Sequence, residues 1–150
     1  MARLSPSIRA RALFLLWRGD DLLLIDWRDE STHQAVWLAP GGTIEYGEPA
    51  YAAAIRELRE ELGVGGIELH HLATFVSIFE YGDQVGHEVC FAFEAIAPPQ
   101  LAKQSAVQGV ESNGEPLTLI WTPASAIEAG ERSLWPGPLR QYLVSPPLRR

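Results

Sequence analysis

The chain has one cysteine, Cys90, among 150 residues, so it can form no internal disulfide. That excludes a small disulfide-stapled scaffold and fits a reducing compartment, with the cytoplasm as the expected location. Cys90 stands in the apolar run Val89-Cys90-Phe91, where a thiol ordinarily serves as a small buried hydrophobe. Positive charge is also scarce. Twelve Lys and Arg against 19 Asp and Glu give a formal net charge of -7. Proteins that grip long nucleic acid usually carry a basic face, so that class is disfavoured. Any phosphate bound here must be met by a few arginines or by metal ions. Long apolar runs are missing too. Arg3, Arg9 and Arg11 precede Leu13-Phe14-Leu15-Leu16-Trp17, but Arg18-Gly19-Asp20-Asp21 ends that run. It is too short for a signal-peptide core or a membrane span, and reads as a first β-strand. There is no repeat, linker or low-complexity stretch. With 47% hydrophobic residues, the chain is expected to bury a core as a single domain over 1–150, without a structural metal.

Local patterns give the order of elements. Residues 10–17 and 22–27 are apolar runs around a Gly-Asp turn, a β-hairpin signature. Residues 28–34 are a polar loop, followed by a short strand, Ala35-Val36-Trp37-Leu38, that Pro40-Gly41-Gly42 stops. The strongest helix covers 49–62, with Pro49 at its first position and Gly63 as a left-handed C-terminal cap. Within it Tyr51, Ile55, Leu58 and Leu62 form one apolar stripe expected to pack on a sheet. Strands are expected at 67–79 and 88–96, a long loop at 97–116, and a last strand at 117–121. Thr122-Pro123 opens a short helix ending near Gly130, and 138–144 reads as one or two further helical turns. Strands that flank a helix, then another strand and helix, predict an α/β sandwich with a mixed sheet.

Chemistry concentrates on that strongest helix. Glu57, Glu60 and Glu61 stand at i, i+3 and i+4, about 5–6 Å apart at Cβ. Like charges so close destabilise a helix unless something neutralises them. Most acidic helix faces are simply solvated, and Arg56 and Arg59 could pair locally. Glu57, however, is one step from the core residue Leu58, which places the patch beside the packed face. The glycines at 41, 42 and 47 let a loop turn tightly and approach a ligand. A loop of that kind tied to an acidic helix suits a hard cation and a phosphate.

The segment 42–64 resembles the Nudix box, G-x5-E-x7-R-E-U-x-E-E-x-G-U with U aliphatic. Gly42, Glu48, Arg56, Glu57, Glu60, Glu61 and Gly63 fill the fixed positions, and Leu58 and Val64 the aliphatic ones. At about 7% per residue type, a chance match is on the order of one in a billion per start site. Trp37-Leu38-Ala39-Pro40 also resembles the usual lead-in. The resemblance implies an α/β/α Nudix sandwich and a metal-dependent hydrolase. Its substrate would be a small nucleoside diphosphate derivative: a nucleoside triphosphate, dinucleoside polyphosphate, nucleotide sugar or ADP-ribose. It further implies that Glu57, Glu60, Glu61 and the Gly41 carbonyl ligate Mg²⁺ or Mn²⁺, and that Glu57 is the general base. Arg56 would orient Glu57, Glu48 would hold Arg56, and Gly42 would lie against substrate. Homodimers are frequent in that family, so a homodimer is one expected assembly; no membrane or long nucleic-acid partner is expected.

Outside the box the same resemblance offers Arg28 as a phosphate contact, against a plain surface role. His33 reads as a loop residue. A further ligand or base could come from Glu111, preferred over Glu115, or from Glu88 beside His87. Tyr81 stands where dinucleoside-polyphosphate hydrolases of the family often carry tyrosine, while the proline that marks many ADP-ribose hydrolases is absent from Phe79-Glu80-Tyr81. A catalytically silent nucleotide-binding module is the alternative reading, which loss of a box glutamate would favour. The related isopentenyl-diphosphate isomerases need a cysteine ahead of the box, and Cys90 follows it.

Overall fold

A computed structural model describes residues 6–143. Strand β1 (Ile8–Arg18) is its hub. It turns through Gly19-Asp20 into β2 (Asp21–Arg28), forming the expected hairpin, but the two strands pair only at Trp17↔Leu22 and Arg18↔Asp21. Beyond that point they diverge. β2 goes on to pair with β3 (Ala35–Leu38) and with a later strand at 116–123. The vacated side of β1 takes β4 (Gly41–Thr43), through Arg11↔Thr43, Ala12↔Gly42 and Leu13↔Gly41.

Helix α1 (Ala50–Leu62) follows, then the long hairpin of β5 (His70–Tyr81) and β6 (Gln84–Ile96). β6 runs parallel to β1 from Ile8↔His87 to Trp17↔Ile96. After β6 come α2 (Pro99–Ala102), β7 (Ala106–Val110) and β8 (Pro116–Pro123). The chain continues through α3 (Ala124–Ala129), β9 (Leu134–Trp135) and a 3-10 helix (Gly137–Tyr142). The main order of the mixed sheet is β5-β6-β1-β2-β3-β9.

Side-chain alternation along β1 explains the layers. Ala12, Phe14 and Leu16 join Ala53, Ala54 and Leu58 of α1 in one core. Leu13, Leu15 and Trp17 join Ala126, Ile127 and Leu139 in another. A central strand covered on both faces needs no polar positions, hence the unbroken apolar run. The result is the expected α/β/α sandwich. Cys90 lies fully buried in the second core. Among the described residues no helix is long and apolar enough to cross a membrane.

Several expectations require correction. Pro49 is the N-cap of α1 rather than its first turn, with ψ 148°. The buried face of α1 is Ala53, Ala54, Glu57, Leu58 and Glu61, whereas Tyr51 is exposed and Ile55 and Leu62 are half-buried. Two alanines let the helix close on the sheet, and that turns two glutamates inward. The β5–β6 hairpin closes two residues farther along than expected on one side and four residues earlier on the other, at Tyr81↔Gln84. The expected loop 97–116 holds α2 and β7, and β9 was not expected at all. In the C-terminal turn expected at 138–144, Val144 lies outside the described residues.

β7 was hidden by its brevity and by Gly109, a weak strand former. That glycine serves a contact: a Cβ there would stand 2.8 Å from the Glu61 carbonyl oxygen and 3.0 Å from Leu62 Cδ2. The strand therefore lies directly on the end of α1. Gly109→Val should force the two apart and cost about 1–3 kcal/mol, lowering Tm by roughly 3–10 °C in calorimetry.

Candidate functional site

The glycine loop and α1 are joined by one guanidinium. Arg56 donates from Nε to Glu48 Oε2 at 2.8 Å and from Nη2 to Glu48 Oε1 at 2.9 Å and the Thr43 carbonyl at 3.1 Å. Its Nη1 donates to Glu57 Oε1 at 2.8 Å and Glu60 Oε2 at 3.3 Å. An arginine has five N–H donors, so this one is fully engaged inside the site. Glu48 also accepts from the Glu45 backbone N–H at 3.1 Å, and its carboxyl is held down at about 2, first by Arg56 and then by that N–H. The same pairs hold the Arg56 guanidinium above its ordinary value. These bonds fix the turn at 45–48 against the helix.

Glu57 and Glu61 are both 8% exposed, so the box carboxylates face inward and not into bulk water. Glu60 points out, with over half its side chain exposed. Glu57 presses on the loop backbone: a Cβ at position 42 would stand 2.2 Å from Glu57 Oε1 and 2.3 Å from Cδ. A side chain at 42 would therefore displace the carboxylate from this position. Gly41, one residue earlier, opens β4 opposite Leu13. Glu61 Oε2 is buried without a hydrogen-bond partner. Burial, then the charge of Glu57, pushes the Glu61 carboxyl up to about 8, with Glu111 and Glu60 adding to the effect and Arg11 opposing it.

Hard oxygen donors, one of them buried and orphaned, are the donor set that a divalent cation such as Mg²⁺ prefers. The residues therefore fit the implied metal. Among the described residues no three carboxylate, imidazole or thiolate groups already form a ligand cage. Arg56 engages an oxygen of Glu57 and of Glu60, and a cation would share those carboxylates with it.

The outlying candidates divide. Glu111 directly follows β7, half-buried and within electrostatic range of Glu61, so β7 brings it to the cluster. Glu115 is exposed on the turn, where its carbonyl accepts from the Glu111 N–H at 2.8 Å. Glu88 is 5% exposed and paired with Arg11 at 3.7 Å. Arg28 donates from Nη1 to the carbonyl of His33, within its own loop. His33 takes φ +60° in that loop. Tyr81 is buried against Trp135, ring centroids 6.2 Å apart, with Phe79 on the same indole at 6.1 Å. The Tyr81 hydroxyl has no partner, and burial raises its pKa. Sequence reading missed Arg11, which carried only a strand pattern and whose charge reaches Glu61, and it missed Trp135, the ring partner of Tyr81, which stands on the unexpected β9.

The NUDIX domain family matches residues 7–141. The chain belongs to the Nudix family. An uncharacterized Nudix hydrolase of Bacillus subtilis strain 168, YvcI, is 34% identical over 82 residues, which cover 54% of this chain and 49% of that protein. The match thus spans about half the length of that relative. A Nudix hydrolase from Nitrosomonas europaea superposes with TM-score 0.60 at 15% identity, covering 92% of this chain and 86% of that one. The dihydroneopterin triphosphate pyrophosphohydrolase of E. coli does so with TM-score 0.58 at 21% identity, covering 91% of each chain. At such identities the two structures speak for the Nudix sandwich alone.

The inward Glu61 gives this Nudix site a measurable pH signature. Without a divalent ion, the folded protein keeps a proton on Glu61 that the unfolded chain releases above its ordinary value of 4.5. The stabilisation is complete below that value and is lost as pH rises toward about 8. Between about pH 5 and pH 8 the metal-free Tm should fall by on the order of 5 °C, and Glu61→Gln should remove most of that slope. A slope unchanged in the variant would show that Glu61 ionises normally.

Proposed function

We propose that this Nudix protein hydrolyses a phosphoanhydride bond in a small nucleoside diphosphate derivative, with the whole chain acting as one catalytic domain. The observation that carries the reading is the inward carboxylate pair: Glu57, set against the Gly42 backbone, and Glu61, whose buried Oε2 has no hydrogen-bond partner. Glu57, Glu60 and Glu61 would hold Mg²⁺ or Mn²⁺, with Glu111 and the Gly41 carbonyl as further oxygen donors. When bound, the ion neutralises the diphosphate charge that repels a nucleophile and stabilises the departing phosphate.

The protein's own groups do the rest. Glu57 accepts the proton of the attacking water as its oxygen bonds to phosphorus, and the bridging P–O bond breaks opposite it. Arg56 keeps Glu57 aimed, and Glu48 keeps Arg56 in place; both are positioning residues. Gly42 leaves room for the Glu57 carboxylate against the loop, and its backbone would lie against the substrate. Tyr81, packed with Phe79 around the Trp135 indole, is the candidate contact for the nucleoside. One neighbour in fold carries such chemistry in its name: the E. coli enzyme above is a dihydroneopterin triphosphate pyrophosphohydrolase. A net charge of -7 argues for small nucleotides over RNA.

The test is turnover of nucleoside triphosphates, ADP-ribose, nucleotide sugars and dinucleoside polyphosphates with Mg²⁺ or Mn²⁺, products being separated by chromatography. One class should be cleaved only with metal, and Glu57→Gln should lower kcat by roughly 10²–10⁴-fold. Tight nucleotide binding with no turnover of any class would contradict the hydrolase and leave a binding module.

A further inference from the structure

Binding a diphosphate requires donors that are not already taken, and the arginines placed by β1, β2 and the box differ in what they have left. Arg56 has none left. Arg28 is turned to its own loop. Arg11 is different. Its register partners are Thr43 on β4 and Cys90 on β6, one position from the Ala12↔Gly42 pair that supports Glu57. Its side chain is 24% exposed, and among the described residues it makes no side-chain hydrogen bond. Its one ion pair, with Glu88 Oε1, is 3.7 Å long, beyond hydrogen-bond range.

Glu88 supplies the orientation. Its side chain is 7% exposed, and a buried carboxylate needs a cation nearby. Arg9 stands two residues before Arg11 and therefore on the same face of β1. It opposes Glu88 in register and donates to Thr43 Oγ1 at 2.9 Å. Thr43 is thereby held at its hydroxyl by Arg9 and at its carbonyl by Arg56, which fixes the strand next to Arg11. The Arg11 charge also reaches Glu61, whose carboxyl it favours in the ionised form. Arg11 leaves β1 on the face of Leu13 and Cys90, opposite α1, and its guanidinium, with open donors and backed by a buried carboxylate, lies within electrostatic range of Glu61.

We propose that Arg11 binds phosphate oxygens of the substrate beside the box carboxylates, with Glu88 as the positioning residue that holds it there. This rests on the diphosphate reading above and adds a residue outside the box to it. A planar fork matches two phosphate oxygens at once, which a lysine does not reproduce. The division of labour is plain: the box carboxylates and their cation take the reacting phosphate, and Arg11 takes non-bridging oxygens of the diphosphate.

The experiment measures methylenediphosphonate binding by calorimetry at saturating Mg²⁺ in wild type, Arg11→Gln, Arg11→Lys and Glu88→Gln. This probe cannot be hydrolysed at its bridge, so the result does not depend on turnover. Mg²⁺ affinity and Tm are measured beside it. Arg11→Gln should weaken the diphosphonate by tenfold or more, Arg11→Lys by at least threefold, and Glu88→Gln in the same direction. Mg²⁺ affinity should not fall in Arg11→Gln, because removing a cation from the cluster cannot repel a metal. With the cleaved nucleotide class, KM should rise more than kcat falls. Wild-type affinity in a folded Arg11→Gln would overturn the proposal. So would a wild type that does not bind the probe, or a loss of Mg²⁺ affinity parallel to the loss of diphosphonate. If Arg11→Gln does not fold, Arg11→Lys decides by the same threefold criterion. A wild type that binds the probe through Arg11 yet cleaves no nucleotide would remove the hydrolase reading and leave Arg11 as a phosphate site.

Discussion

One guanidinium, that of Arg56, ties together parts of the chain that would otherwise repel or drift. It joins Glu48 in the loop, the Thr43 carbonyl in β4, and Glu57 and Glu60 on α1. A half-buried arginine with every donor matched is a rigid strut, because breaking any one bond leaves a charged partner unsatisfied. The orientation of Glu57 against the Gly42 backbone depends on it. So does the closeness of the carboxylates, which would separate if their charges were uncompensated. The cost of assembling negative charge is offset partly by this strut. The remainder sits on Glu61, whose inner oxygen has no partner and whose carboxyl prefers to be protonated.

The sheet explains how such a group can be buried at all. β1 and β2 separate after two paired positions, and β4 fills the side of β1 that β2 leaves. Helix α1 lies over β1, β4 and β7, with alanines where bulkier residues would hold it off. Its inner face thus combines core residues such as Leu58 with Glu57 and Glu61. From the other direction Gly109 lets β7 touch the end of the helix and bring Glu111 toward Glu61. The acidic cluster is assembled from a helix, a loop and a strand far apart in sequence, each brought in by small residues at the contacts.

Much of this was legible in the sequence because it rests on local rules. The apolar runs of β1 and β2 with a Gly-Asp turn, Gly63 at the end of α1, and the buried Cys90 all follow from near neighbours. The spacing of the box glutamates depends only on helical geometry. What was not legible depends on contacts between distant segments. The stripe of Tyr51, Ile55, Leu58 and Leu62 does meet the core, but only Leu58 of it is fully buried, and the helix sits deepest at Ala53 and Ala54. β7 has a glycine where a strand former would be expected, for reasons that lie in Glu61 and Leu62. Arg11 looked like one more strand residue until Glu88 and Thr43 were placed beside it.

The central claim is that a divalent cation binds between α1 and the glycine loop. Titrating Mn²⁺ into isotopically labelled protein and following paramagnetic broadening of the amide resonances tests it most directly, since broadening falls off steeply with distance from the ion. The account predicts that Gly42, Thr43, Glu57 and Glu61 lose intensity first, with Glu111 close behind, and that Arg28 and the α3 amides keep theirs. First broadening at another part of the surface, or broadening spread evenly over the acidic residues, would contradict it.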